Sequence, residues 1–468
     1  MPPTIYLDGR FRDSASPLTV PVIDPTTEQV YDHVPRGTAR DADAAVLAAR
    51  RAADTWAATP QSERIALVRR LRDTLTARAD ELTSAAVRDV GTPVRMARPL
   101  QTILPIGAVA DFLAAAEGIE EPQEVANSLV HRRPVGVVVA VTPWNYPLLQ
   151  IVAKVVPALL SGSPVVLKPS EVAPLVPHLL AEAVDAAGFP PGVFNLVSGL
   201  GLEIGDALVR HPEVDMVSFT GSTAAGLAVH AAAGLKRVQL ELGGKSASLV
   251  LPGADAVAAA RATVNSCLLN SGQTCLALTR LVVHRSLYAE AVEAATATAA
   301  RFTLGDPTDP ATKQGPLVSA AQRDRVRGFI ERAAADGARL TLGGAHAPDG
   351  LDRGFFVRPT VFADVAPESE LGQEEVFGPV LAITPYDDVD EGIRIANGTR
   401  YGLSGAVWGP DRESAAAVAL RLRTGQVDIN GGRFHTAAPF GGVKSSGRGR
   451  EFGRAGLAEY YELQSLQL

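Results

Sequence analysis

From Val135 to about residue 245, short β-branched runs alternate with segments of helical periodicity. The runs are "VGVVVAVT", "PVVLKP", "VFNLVSG", "VDMVSFTG" and "RVQLELGG", and stretches such as "APLVPHLLAEAVDAAG" and "LEIGDALVRH" lie between them. Strands that are apolar on both faces and joined by helices belong to a covered parallel sheet, so the pattern predicts a doubly wound α/β unit. Ligands of such sheets bind beyond the carboxyl ends of the strands, and those ends carry "TPWN", "KPSE", "SGLG" and "TGST". A second set follows "ELGGKS". Its strands are "ASLVLPG", "ALTRLVVH", "FFVRPTVFADV", "GPVLAITPY" and "GLSGAVWG". Its helices fall near Ala256 to Asn270, Leu287 to Phe302, Ser319 to Asp336 and Arg412 to Arg423. The chain reads as two α/β units, with no repeat of fixed period and no low-complexity segment of consequence.

The stretch from Val135 to Leu160 is long and apolar enough to suggest a membrane span. Pro143, Pro147 and Pro157 interrupt it and Asn145, Gln150 and Lys154 fall inside it, so a buried strand, a turn and a helix fit better. Length and composition agree with a globular enzyme of more than one core: 468 residues, 46% apolar and 20% charged. Against 51 acidic side chains stand 44 basic ones, a formal net charge of −7, which argues against nucleic acid and anionic membrane as partners. The start, "MPPTIYLDGRFRDSASPLTV", has no charged segment followed by an apolar one, and a cytosolic protein is expected. The only two cysteines, Cys267 and Cys275, are read as reduced thiols, and no metal site is expected.

The nearest match to a glycine-rich dinucleotide fingerprint is "GLGLEIG", with Gly199, Gly201 and Gly205, one residue too long to weigh much. "FTGSTAAG" is more informative: Ser222 can cap the next helix, whose first N–H groups can take a phosphate, although an ordinary capped turn reads equally well. Cys275 closes "NSGQTC", and taken alone it reads as a buried, inert thiol. Glu241, in "QLELGGKS", alters that reading. A carboxylate ending an apolar strand is costly unless it is paired or functional, and a half-buried glutamate with a raised pKa can act as a base near neutrality.

Seven motifs in one order resemble the aldehyde dehydrogenase superfamily along essentially the whole chain. "TPWNYP" resembles the family's oxyanion-hole loop, "KPSE" its ribose site, "FTGSTAAG" its pyrophosphate site and "ELGGKS" its general-base strand. "NSGQTC" is similar to its nucleophile turn, "EEVFGPV" to its second ribose contact and "PFGGVKSSGRGRE" to its carboxy-terminal signature. The resemblance implies an NAD(P)-dependent, non-acylating enzyme that oxidises an aldehyde to the acid. Cys275 would be the nucleophile, forming a thiohemiacetal and then a thioester. Asn145 and the Cys275 N–H would hold the oxyanion, Glu241 would activate the hydrolytic water, and Lys154 matches a lysine tied to proton transfer. Lys168 and Glu171 would bind the adenosine ribose, Ser222 the pyrophosphate, and Glu375 and Phe377 the nicotinamide ribose and ring, with Trp144 and Leu242 shaping the pocket. Thr142, Pro143, Ser170, Gly201, Phe219 and Gly221 belong to the same cofactor loops. Plain core packing is the alternative for Trp144 and Phe377. NAD is expected over NADP, because Glu171 would repel a 2′-phosphate. The implied fold is a doubly wound cofactor domain over residues 1–114 and 135–243 and a catalytic α/β domain over 244–443. Small β elements at 115–134 and 455–468 would assemble a homodimer or homotetramer.

For the substrate, members of the family acting on succinic semialdehyde carry an arginine eight positions after the oxyanion asparagine, many others carry tryptophan, and this chain has Ala153. The open position, with Tyr146, Leu149, Gln150, Thr274, Leu276 and Phe434 as walls, leads us to expect a bulky, apolar or aromatic aldehyde. A small polar aldehyde or semialdehyde is the alternative. A Cys–His hydrolase finds no comparable histidine motif, and a non-catalytic binding protein would have little need of Cys275, Glu241 and Asn145 together.

Overall fold

The computed structural model describes residues 4–468; the first three residues, which open both the leader reading and the expected cofactor domain, lie outside the described residues. Two hairpins begin the chain, β1 (Thr4–Leu7) with β2 (Arg10–Asp13) and β3 (Thr19–Ile23) with β4 (Val30–Pro35). Helices Ala39–Ala58, Gln61–Ala77, Ala79–Val90 and Leu104–Ala116 follow, then the hairpin β5 (Gln123–Val125) and β6 (Ser128–Pro134). Next come β7 (Val138–Val141), β8 (Val165–Lys168), β9 (Phe194–Leu196), β10 (Met216–Thr220) and β11 (Arg237–Glu241). The second set is β12 (Ser246–Val250), β13 (Leu278–His284), β14 (Arg339–Leu342), β15 (Thr360–Ala363), β16 (Val380–Tyr386), β17 (Gly405–Trp408) and β18 (Asp428–Ile429). The chain ends with β19 (Gly447–Arg448) and β20 (Tyr461–Gln467).

An eight-stranded sheet has the order β19, β11, β10, β7, β8, β9, β1, β2, its five central strands parallel and its outer strands antiparallel. Strand order reverses at β7, which lies between β8 and β10, and a ligand crevice opens at such a point. The second sheet, β14, β15, β16, β13, β12, β17, β18, is parallel except for β14. The fold is thus α/β with two parallel sheets. A third, small sheet joins β20, β6 and β5, with β20 antiparallel to β6 from Tyr461 opposite Pro134 to Gln467 opposite Ser128.

Every residue of helix Pro147–Ser161 is buried, which explains why its sequence shows no polar stripe. Pro147 opens it, its missing N–H falling where no helical partner exists, and Gly162 at φ 89° ends it. Pro157 was expected to interrupt the apolar stretch, yet it lies inside the helix, which the surrounding core holds in place. Other elements differ in extent from the sequence reading. "LEIGDALVRH" is not one helix: a π-helical turn, Gly201–Gly205, runs into its start and a short helix, Asp206–Arg210, follows, and only Thr360–Ala363 of "FFVRPTVFADV" pairs as a strand. The run Val94–Ala116 is the one helix among the described residues long and apolar enough to cross a membrane, and half of its most apolar window is buried in this fold.

Candidate active site

The carboxyl ends of β7, β10 and β11 present Thr142–Asn145, Gly221–Ser222 and Leu242–Gly244 on one rim, and the second sheet adds Cys275, Glu375 and Phe377. Most of these residues bound one cleft with about 300 Å³ of free space. Of the expected residues, Pro143, Trp144, Asn145, Gly221, Ser222, Leu242, Cys275, Glu375 and Phe377 line it. Thr142, Lys168, Ser170, Glu171, Gly201 and Phe219 do not, although Thr142 and Lys168 are tied across neighbouring strand ends by a 3.1 Å backbone hydrogen bond. Gly201 is exposed at the start of its π-turn.

The turn before Cys275 is fixed residue by residue. Asn270 and Ser271 take positive φ (51° and 58°). Asn270 accepts from Thr92 Oγ1 at 2.6 Å and donates to the Asn145 carbonyl at 3.0 Å, while Ser271 Oγ donates to the Gly315 carbonyl. Gly272, at φ 77°, passes so close to Gly378 that a Cβ would lie 2.1 Å from its carbonyl carbon, so no larger residue fits. Gln273 accepts from Val318 N at 2.9 Å, and Thr274 meets Tyr146 hydroxyl to hydroxyl at 2.7 Å. The network spans Thr92, Gln101, Asn145 and Gln273 and holds the cysteine against both sheets. None of Thr92, Gln101 or Asn270 was singled out in the sequence, because their partners are distant in the chain.

Asn145 Nδ2 donates to the Gln273 carbonyl at 3.0 Å, and its Oδ1 is buried without a partner. Burial pushes the Cys275 thiol up to about 12, and the Glu375, Glu241 and Glu451 carboxylates add to the shift. At neutral pH these groups favour the thiol over the thiolate.

Glu241 is fully buried rather than half-buried, and neither carboxylate oxygen has a well-formed hydrogen bond. The Gly442 backbone N–H approaches it without reaching good geometry. Burial first, and the neighbouring Glu451 second, hold its pKa well above the carboxylate range, while Lys154 and Arg450 pull it down. Lys154, also fully buried, donates to Thr220 Oγ1 at 2.6 Å and forms an ion pair with Glu451. Glu451 was not singled out, although it ends the "GRGRE" motif. Its buried carboxylate beside a lysine is the signal that only the fold reveals.

Glu375 accepts from Gly244 N at 2.9 Å, and burial brings its carboxyl to about 7. Phe377 holds a positive φ of 59° and packs edge-on against Trp144, ring centroids 5.5 Å apart. Lys168 and Glu171 are ion-paired at 2.9 Å. Ser222 caps helix Thr223–Ala233, accepting from Ala225 N.

Ala153, Tyr146 and Leu149 belong to one buried cluster, against which Cys275, Leu276 and Phe434 pack. Phe434 leads through Phe440 and Phe452 to Phe112 in a continuous series of ring contacts. Gln150 is buried, and its Oε1 has no partner.

Comparison with known proteins completes the picture. The model of the aldehyde dehydrogenase family matches residues 11–466. The chain belongs to that family. It is 43% identical over 467 residues to 3-succinoylsemialdehyde-pyridine dehydrogenase of a Pseudomonas species, covering 98% of this chain and 97% of that one. Geranial dehydrogenase of Castellaniella defragrans is 41% identical over 473 residues, covering 99% and 98%. Among solved structures, a mutant of aldehyde dehydrogenase C from Pseudomonas syringae, complexed with NAD+ and octanal, superposes with a TM-score of 0.98 at 42% identity, covering 99% and 96%. A Mycobacterium tuberculosis aldehyde dehydrogenase complexed with NAD+ gives 0.97 at 41% identity, covering 100% and 98%. As an aldehyde dehydrogenase, the chain is an oxidoreductase acting on aldehydes.

Proposed function

We propose that this aldehyde dehydrogenase oxidises a bulky apolar aldehyde to its acid with NAD, by way of a thioester on Cys275 that water attacks under base catalysis by Glu241. The observation that carries this reading is the meeting of Cys275, Asn145, Glu375 and Phe377 in one cleft, with Glu241 buried at the adjoining strand end. A dinucleotide fits the polar groups available. The N–H groups that start helix Thr223–Ala233 suit a phosphate, Lys168 and Glu171 suit ribose hydroxyls, and Glu375 beside the Trp144–Phe377 pair suits the second ribose and its ring. Bound NAD supplies the two-electron acceptor for hydride. The related crystal structures with NAD+ support this choice.

Glu241, whose carboxylate acts on the Cys275 thiol, takes its proton as the S–C bond forms, and the carbonyl oxygen takes the negative charge beside the second N–H of Asn145 Nδ2 and the Cys275 N–H. Loss of hydride from the same carbon leaves a thioester. Once Glu241 has passed on that first proton it takes a second from water as the water adds to the thioester, and it returns this one to the expelled Cys275 thiolate as the acid leaves, which restores the thiol. Lys154, paired with Glu451 beside Glu241, gives that proton an exit. Because Lys168 neutralises Glu171, the preference for NAD over NADP is expected to be moderate rather than absolute.

Three further assignments form part of this reading. Residues 1–114 and 135–243 form the cofactor domain and 244–443 the catalytic domain. Residues 115–134 and 455–468 assemble a homo-oligomer in the cytosol. The aldehyde tail is taken up against the apolar cluster of Ala153, Leu149, Leu276 and Phe434, in keeping with relatives named for geranial and crystallised with octanal.

The test is to follow reduced-cofactor absorbance with NAD and a series of straight-chain aldehydes plus benzaldehyde. Efficiency should rise with apolar size, each added methylene contributing up to about 0.8 kcal/mol, and Ala153→Trp should reverse the trend. Cys275→Ala should give no turnover while keeping NAD binding. Glu241→Gln should release one reduced cofactor per site and then stall. Parental turnover by Glu241→Gln refutes the base. A best substrate of two or three carbons refutes that placement of the tail.

A further inference from the structure

Asn145 and Tyr146 follow β7 of the first sheet, and Gln273 and Thr274 lie just before β13 of the second, so the two α/β units meet where these pairs face each other. Two consecutive hydrogen bonds join them. Asn145 Nδ2 donates to the Gln273 carbonyl at 3.0 Å, and the Tyr146 and Thr274 hydroxyls stand 2.7 Å apart. The direction of the second bond follows from counting protons. Thr274 Oγ1 carries one, and the Leu269 carbonyl 3.2 Å away can only accept, so Thr274 donates there and receives the Tyr146 proton. Burial holds the Tyr146 phenol well above its ordinary value, which keeps it a neutral donor. Its backbone is fixed as well: Tyr146 precedes the first turn of helix Pro147–Ser161, and its carbonyl accepts from Gln150 N at 3.0 Å. A rigid ring on two side-chain torsions, rooted at a helix start, makes a stiff lever.

We propose that the Tyr146–Thr274 hydroxyl pair is a positioning clamp for the oxyanion site, holding the Thr274–Cys275 peptide, and with it the Cys275 N–H, in register with the second N–H of Asn145 Nδ2. The inference rests on the reading of Cys275 as nucleophile and Asn145 as oxyanion donor. Each partner in the clamp is the chain neighbour of one of those two residues. The Asn145–Gln273 bond alone would leave the chain beyond Gln273 free to turn about it; a second bond, one residue further along both segments, removes that rotation. Tyr146 and Thr274 were expected as substrate walls, and their hydroxyl protons are used within the protein instead.

Tyr146→Phe deletes this bond alone, keeps the ring and leaves the Thr274 proton on the Leu269 carbonyl. In rapid mixing with NAD and the best aldehyde of the series above, its first turnover should slow roughly tenfold, with KM and NAD affinity changing by less than about twofold. Alkylation of Cys275 by iodoacetamide, which needs no oxyanion donor, should keep its parental rate. Thr274→Val should show the same loss of turnover, the double variant no greater loss than the slower single one, and Thr274→Ser should recover most of what Thr274→Val loses. Should Tyr146→Phe fail to fold, Thr274→Val and Thr274→Ser make the comparison from the other side of the bond. A parental first turnover in Tyr146→Phe overturns the clamp. So do losses that add in the double variant, or an alkylation rate that falls in step with turnover, which would place the defect at the sulfur. Turnover by Cys275→Ala would remove the reading beneath the clamp as well, and so tells the two failures apart.

Discussion

Glu241 owes its raised pKa to burial and to Glu451, and the Lys154 ammonium works against both. Glu451→Gln removes a negative charge and leaves Lys154 unneutralised, so both changes favour the Glu241 carboxylate. The acid limb of the kcat–pH profile should move to lower pH in that variant. Lys154→Met removes the opposing positive charge and should move the limb upward. Profiles unchanged in both would remove the pair from the base's electrostatics. At this scale the sequence was informative about identity and silent about surroundings. "NSGQTC" and "ELGGKS" pointed to Cys275 and Glu241, yet the ties of the turn to Thr92 and Gln101 cross at least 44 positions, as with Gln101 to Asn145, and no local pattern encodes them. The Lys168–Glu171 pair is only three positions apart, yet its contact too was hidden, because it depends on side-chain directions at a strand end.

Among elements, Asp89 is a joint of three. It sits near the end of helix Ala79–Val90, accepts from the Tyr31 hydroxyl of β4, and accepts from Leu175 N at 2.8 Å where helix Leu175–Ala187 starts. Burial raises its pKa from 3.8 to about 7 against the pull of those hydrogen bonds. The folded state therefore holds more protons than the unfolded one between those values, and this group's contribution to stability declines as pH rises through the window. Asp89→Asn cannot ionise, so its stability relative to the parent should shift in its favour from pH 4 toward pH 7. Loss of the second acceptor oxygen should cost about 1–2 kcal/mol at acid pH. Melting midpoints across that range check both signs; parallel curves would contradict the assignment. The central strands were legible because parallel strands buried on both faces are written as continuous β-branched runs. The course of helix Pro147–Ser161 through Pro157 was not, since a proline's effect depends on how firmly its neighbours hold the helix. The pairing of β19 with β11 was equally hidden: two residues carry no periodicity.

At the scale of the whole molecule, the sheet of β20, β6 and β5 stands apart from both larger sheets. Leu463, Leu466 and Val125 are 69%, 44% and 49% exposed on it, and β20 is an edge strand with unpaired backbone groups. In the proposed oligomer this surface is covered by another copy. Leu463→Lys with Leu466→Lys should lower the mass seen by light scattering while the far-ultraviolet spectrum stays unchanged; a parental mass would place the interface elsewhere. The same end of the chain also completes the catalytic interior. β19 closes the sheet beside Glu241, a Cβ on Gly441 would lie 2.6 Å from the Glu241 Oε1, and Glu451 pairs with Lys154. On a ribosome, the strands from β7 to β11 emerge more than two hundred residues before those partners do. Until then Lys154 lacks its carboxylate and Glu241 lacks the segment that closes over it. A chain in which β19 and Glu451 have not yet emerged is therefore expected to turn over no aldehyde, even though Cys275 has already been made.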